Sequence, residues 1–248
     1  MITVQKYIAD PIIKSTNKKE LCMEALHAFK EKAKNELGLQ FYAIGLKGSQ
    51  NYNLDEKDSD FDANLVFIPT LKQIRTNKVY NIKTEFGECV CHNIYSFAKI
   101  VAKGNPQWIE VCNTPYKIGN FAIFKKYKLN PTALQGMAQN KQKAFSHLYP
   151  SRENVVKEFG YDPKQLLHVV RLYDCLVSDK PYTVYNGDAR NHMLAIKKGL
   201  FTKECAEMML KEYMYKIKEL CEQKAKDFKQ QDVEYDILDK IVIKNLIN

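Results

Sequence analysis

The chain has 248 residues, 45% of them hydrophobic and 27% charged. This ordinary globular balance excludes a disordered chain, a collagen-like fibre and a disulfide mini-scaffold. Its 38 Lys and Arg against 29 Asp and Glu leave a formal charge of +9, a mild excess that suits polyanionic ligands such as nucleotides or RNA and equally suits a lysine-rich soluble surface.

No apolar run approaches the ~18–20 residues of a membrane span, and the first residues show no signal-peptide pattern. Seven cysteines are an odd number at irregular spacing, which fits free thiols in a reducing cytoplasm better than a disulfide framework. Cys89-x-Cys91-His92 resembles a zinc site only superficially, because no CxxC spacing or second pair accompanies it.

In chain order, residues 17–37 read as an amphipathic helix. Asn17-x-x-Glu20 is a candidate capping box. Cys22, Ala25, Leu26, Phe29 and Ala33 form its apolar stripe, and Gly38 is its stop. Residues 40–46 read as a short strand ending in Lys47-Gly48-Ser49. A polar loop, 50–59, leads to a second strand, Asp60–Ile68, with its polar end first. Residues 79–94 read as a hairpin turning at Phe86-Gly87, and Ser96–Lys103 as a helix that stops at Gly104-Asn105-Pro106.

The second half is helical. Asn130-Pro131 and Asp162-Pro163 each place a cap before a proline at the first helical position. They open helices expected to run to about His147 and to Val177. Asp188 is a candidate cap for a helix ending before Gly199, Thr202 for one of ~25 residues, and Asp232–Asn248 reads as a last helix. The expected architecture is an α/β (α+β) domain with a small mixed sheet at 1–125, then an all-helical domain at 126–248.

Chemistry concentrates between Gly45 and Ile68. On a strand, residues two apart point the same way, so Asp60 and Asp62 project together, with Phe61 opposite. Close carboxylates raise each other's pKa, and a divalent cation relieves the conflict. Hard oxygen ligands suit Mg²⁺ or Mn²⁺, with substrate phosphates completing the shell. Gly48 allows close backbone approach and Ser49 offers a hydroxyl to phosphate oxygens. Lys164, His168 and Arg171, spaced by four and three, share one helical face, away from the apolar stripe Leu166, Val170, Tyr173 and Val177. A Lys and an Arg facing a cleft can clamp a triphosphate.

Strand, Gly48-Ser49, ten-residue loop, Asp58-Ser59-Asp60-Phe61-Asp62 and apolar strand together resemble the nucleotidyltransferase fold of the DNA polymerase β superfamily. The likeness is greatest to the predicted nucleotidyltransferase family of bacteria and their phages. Later segments resemble that family too: Phe97–Pro106 followed by Glu110, Gly160-Tyr161-Asp162-Pro163-Lys164 with His168, Arg171 and Leu172, and Ile196–Gly199. The resemblance spans roughly residues 40–215.

It implies a nucleoside triphosphate substrate (ATP or another), Mg²⁺ or Mn²⁺ on Asp60 and Asp62, and nucleotide contact by Gly48, Ser49, Lys164, His168 and Arg171. The acceptor would be RNA, a protein or a small molecule. The family's third acidic residue has no obvious counterpart in residues 88–94. Glu88 is the nearest candidate for metal ligand or base, with Glu85 as its alternative. The competing expectation is a catalytically degenerate module that binds nucleotide, RNA or a protein partner without turnover. A DxD phosphatase or glycosyltransferase fits less well, because many phosphatases carry such aspartates after the apolar strand and here they precede it.

Overall fold

The computed structural model describes residues 15–57, 59–147 and 149–247, with side chains from Lys18 to Asn245. Asp58 lies outside the described residues. The architecture is α+β, a small mixed sheet followed by a helical C-terminal region, as the sequence indicated. Helix α1 (Ser15–Leu37) buries Cys22, Ala25, Leu26, Phe29 and Ala33, the anticipated stripe. Gly38 ends it at φ +60, where the Gly38 and Leu39 amides donate to Lys34 and Ala33 carbonyls at 3.1 and 3.2 Å. The Gly38-to-Lys34 bond is that of an αL stop, which only a residue at ease in the left-handed region makes cheaply. Asn17 falls inside α1 and not at its cap.

Five strands follow: β1 (Gln40–Lys47), β2 (Phe61–Ile68), β3 (Tyr80–Thr84), β4 (Gly87–Asn93) and β5 (Lys117–Gly119). Their order is β3-β4-β2-β1-β5. The sheet is antiparallel except for the central β2–β4 pair. β3 and β4 are the expected hairpin. Because side chains alternate across a strand, Ile44, Leu46, Ala63, Leu65, Phe67, Cys89 and Cys91 meet α1 on one face. Ala43, Val66 and Ile68 meet α4 (Ile94–Ala102) and α5 (Pro106–Asn113) on the other. Cys89 and Cys91 thus lie on the opposite face from His92, so the Cys-x-Cys-His run is core packing and not a metal site.

Two short helices are additional: α2 (Ser49–Tyr52) occupies the start of the segment expected as a polar loop, and α3 (Leu71–Thr76) follows β2. The C-terminal region comprises α6 (Pro131–Ala144), α7 (Glu153–Phe159), α8 (Pro163–Ser178), α9 (Gly187–Lys197), α10 (Lys203–Lys224) and α11 (Tyr235–Ile247). Asn130, Asp162 and Thr202 cap α6, α8 and α10 with side-chain hydrogen bonds. Asp188 is not a cap: Asn186 holds the cap position of α9, and Asp188 lies in its first turn. α6 ends three residues before His147, and α10 has 22 residues.

Leu134 and Ala138 of α6, Leu166 and Val170 of α8, and Leu210, Ile217 and Cys221 of α10 form one core, which also receives Tyr52 and Leu54 from the segment after β1. Val177 departs from its expected stripe and is 56% exposed, in the last turn of α8 before the left-handed Asp179. α11 returns to the sheet layer, where Leu238 and Val242 pack with Ile94 and Phe97. Among the described residues no helix is long and apolar enough to cross a membrane.

Candidate functional site

The site forms where β1 and β2 meet. β1 ends at Lys47, and Gly48 turns the chain at φ 98, ψ −153, a conformation that favours glycine. α2 starts at Ser49. Gln50 is buried, and its Nε2 donates to the Asp60 carbonyl at 2.9 Å. That bond ties the loop's far end to its beginning, so Gly48-Ser49 and the carboxylate pair are held as one unit.

Register then sets the neighbours of Asp62. Lys47 lies opposite it on β1 and Glu88 opposite it on β4. Burial raises the Asp62 pKa; Lys47 and Lys164 pull it down, while Glu88 and Asp60 push it up. Asp62 is thus influenced by two acids and two lysines at once. Phe61 takes the opposite face, edge-on to Phe86 at 6.2 Å, as strand parity demands.

Glu88 is thus the carboxylate aligned with Asp62, while Glu85 lies in the β3–β4 turn, out of that register. Glu88 is itself ion-paired to Lys83 at 2.6 Å, at the surface. Among the described residues no group of three or more His, Cys, Asp or Glu side chains stands close enough to hold a metal ion. Asp60 and Asp62 remain the donors of suitable chemistry, two hard oxygen ligands that leave room for substrate phosphates.

α8 supplies the opposite wall. Asp162 caps it, and Lys164 follows in the first turn, close enough for its charge to act on Asp62. Further along, His168 and Arg171 join Lys141 of α6 and Gln107, Glu110 and Met137 around a small cavity between α5, α6 and α8. Burial drives the His168 pKa well down, and the charges of Arg171, Lys141 and Lys164 add to that effect. Burial, with Lys164 and Arg171, also lowers that of Lys141. Four basic side chains from two helices therefore converge. Lys141 had no sequence signal, since it belongs to an unremarkable run of polar residues in α6.

A second group is built on Glu110, which the sequence placed in a family-like segment without a role. This carboxylate is 1% exposed, in an otherwise apolar turn of α5. It accepts the Gly48 amide at 2.7 Å, the Asn51 Nδ2 at 2.7 Å and the Tyr52 hydroxyl. Asn51 also donates to the Leu46 carbonyl at 3.0 Å and accepts from the Thr114 hydroxyl at 2.7 Å. Arg171 lies over the Tyr52 ring, 3.3 Å from its centroid. Burial raises the Glu110 pKa; Arg171, Tyr52, Asn51 and the Gly48 amide act against it. Gly48, expected to contact the nucleotide, therefore has its amide committed to Glu110. The signal was its place after the Phe97–Pro106 segment; its three donors come from residues about sixty positions earlier, which no local pattern reveals.

No protein-family model matches the chain, and no curated protein matches it. Among solved structures, a nucleotidyltransferase-like protein from Exiguobacterium sibiricum 255-15 is similar, with a TM-score of 0.28 and 12% identity over 82% of this chain and 75% of that one.

Proposed function

We propose that the protein is a nucleotidyltransferase that moves a nucleoside monophosphate from a nucleoside triphosphate to an acceptor hydroxyl, releasing pyrophosphate. One observation carries the reading: Asp62, aligned with Glu88, lies within the fields of Asp60 and of Lys164, on the helix that also bears His168 and Arg171. In this reading Asp60 and Asp62 hold Mg²⁺ or Mn²⁺, which supplies charge neutralisation at the phosphoryl oxygens when bound. Ser49 donates to a phosphate oxygen, Lys164, Arg171 and Lys141 take the triphosphate's negative charge, and His168, held neutral by burial and its cationic neighbours, offers a ring N–H to the nucleotide. Glu88, freed from Lys83, accepts the proton of the attacking hydroxyl or completes the metal shell. RNA, a protein side chain and a small molecule are the acceptor classes.

A second reading is a module that binds nucleotide, RNA or a protein partner without turnover. The Lys83–Glu88 ion pair favours it, because that pair withholds the third carboxylate.

The test is incubation with each α-³²P nucleoside triphosphate, Mg²⁺ or Mn²⁺, and RNA or protein from the native cell, beside an Asp60→Ala/Asp62→Ala variant. Label transferred by the wild type alone supports the enzyme, and the labelled band identifies the acceptor class. Nucleotide binding without label under any condition leaves the binding module.

A further inference from the structure

We infer that Glu110 and Tyr52 are positioning residues that hold the Gly48-Ser49 turn and the Arg171 guanidinium in mutual register for a polyphosphate chain. This inference rests on the nucleotide reading above and names the groups that assemble that site without touching its ligand.

Three observations carry it. First, the Glu110 side chain reaches from α5 to three donors within a single turn, Gly48, Asn51 and Tyr52. A fully buried carboxylate is costly unless its lone pairs are filled, and here those partners fill them. Second, Gly48 sits at φ 98. An amide in an unusual backbone conformation holds its direction only where surroundings over-determine it, and the Glu110 carboxylate is its partner. Third, the Tyr52 ring is fixed at one end by its hydroxyl on Glu110 and carries Arg171 on its face.

No hydrogen bond or ion pair to a described residue occupies the Arg171 guanidinium. Its N–H edges are therefore available for the bidentate contacts that phosphate oxygens favour. One carboxylate thus sets both the turn on the sheet side and the cation on the helix side. Removing the Tyr52 hydroxyl frees the ring to tilt and take Arg171 with it; removing the Glu110 charge loosens the turn as well.

The experiment compares wild type, Tyr52→Phe, Glu110→Gln and Glu110→Ala by two measurements. Amide hydrogen exchange is followed across residues 46–54, with circular dichroism to confirm that each variant is folded. Calorimetry measures the affinity for magnesium tripolyphosphate, a probe that carries no base. Glu110→Gln keeps an oxygen for Gly48 and Asn51, so it should rescue much of what Glu110→Ala loses. The expected order of affinity is wild type, Tyr52→Phe, Glu110→Gln, Glu110→Ala. Glu110→Gln should fall about tenfold, the equivalent of ~1.4 kcal/mol, with exchange in 46–54 quickening in the same order.

Unchanged exchange in folded Glu110→Ala overturns the inference outright. Faster exchange with equal tripolyphosphate affinity in all four proteins overturns it too and leaves the nucleotide reading standing. If wild type binds neither tripolyphosphate nor any nucleoside triphosphate, the nucleotide reading falls and takes this inference with it.

Discussion

Arg152 grips both carboxylate oxygens of Asp162, Nε at 3.0 Å and Nη2 at 2.6 Å. The same carboxylate caps α8 by accepting the Lys164 amide at 3.0 Å and takes a further bond from Gln165. Asp162 therefore sets where α8 begins, and so where Lys164 stands relative to Asp62. Burial alone would raise its pKa; the bonds from Arg152 and Gln165, with the Arg152 charge and the Lys164 amide, outweigh that and hold it below the ordinary value.

A depressed carboxylate pKa contributes stability at pH above the unfolded value, about 3.9, and that stability is lost as pH falls through the folded value. Asp162→Asn keeps the cap and loses the charge that Arg152 grips, at a cost of about 1 kcal/mol. Asp162→Ala loses both, about 2–3 kcal/mol once the partial exposure of Arg152 is discounted. Urea titrations at pH 7 and pH 3 check this: the gap between wild type and Asp162→Asn should shrink at the lower pH.

Gly104, after α4, packs tightly against Asn130 at the start of α6. It sits at φ +73, and a Cβ there would lie 2.5 Å from the Asn130 Cβ and 2.6 Å from its amide nitrogen. The Asn130 amide donates to the Gly104 carbonyl at 2.9 Å, so neither backbone can retreat without losing that bond. Left-handed strain of ~1–2 kcal/mol and a comparable overpacking term predict that Gly104→Ala destabilises by about 2–4 kcal/mol. Thermal or urea unfolding measures it, and a loss below ~0.5 kcal/mol would mean that the joint yields freely.

What could be read in advance divides along physical lines. Asn130-Pro131, Asp162-Pro163 and Thr202 were legible because a cap and its amide partners are neighbours in the chain. The α1 stripe and the opposed directions of Phe61 and Asp62 were legible because helix and strand periods are local. The alignment of Glu88 with Asp62 needed the parallel β2–β4 register, a long-range choice. The contacts of Glu110, known in advance only as a motif residue, and the place of Lys141 were opaque for the same reason, since they depend on residues dozens of positions away. Asp188 was misread because Asn186 competes for the same cap, two residues earlier.

Thiol chemistry offers an inexpensive check on the packing. Six of the seven cysteines are buried and only Cys205 is exposed, in the first turn of α10. Burial pushes the Cys22 and Cys175 thiols up to about 12, where almost no thiolate exists at neutral pH. A disulfide reagent such as DTNB should therefore release one rapid equivalent from the native protein and the rest only in denaturant. Cys205→Ser should abolish the rapid phase. Two or more rapid equivalents would contradict the packing of α1 on the sheet or of α8 on α10.

Asp62 should show function and stability in opposition. Its pKa is raised, burial being the largest cause, with Glu88 and Asp60 adding to it. For an acid the sign is that the folded chain holds the proton more tightly than the unfolded one. The ionised form thus costs stability at pH above the folded pKa, and the cost disappears below about 3.9. Asp62→Asn removes the charge at nearly constant shape. At pH 7 it should leave the protein as stable as wild type or slightly more so, within ~0.5 kcal/mol, because Asp62 is exposed at the start of β2 and solvent screens most of the cost that partial burial of its carboxylate imposes. The same change removes a proposed metal ligand and should reduce nucleotidyl transfer by more than a hundredfold, on the order of 3 kcal/mol of transition-state stabilisation. Denaturation midpoints and label transfer on one preparation test both halves. A variant that is clearly less stable would show Asp62 to be a structural residue. One that is equally stable and still transfers label at the wild-type rate would remove it from the chemistry and shift the carboxylate role to Asp60 and Glu88.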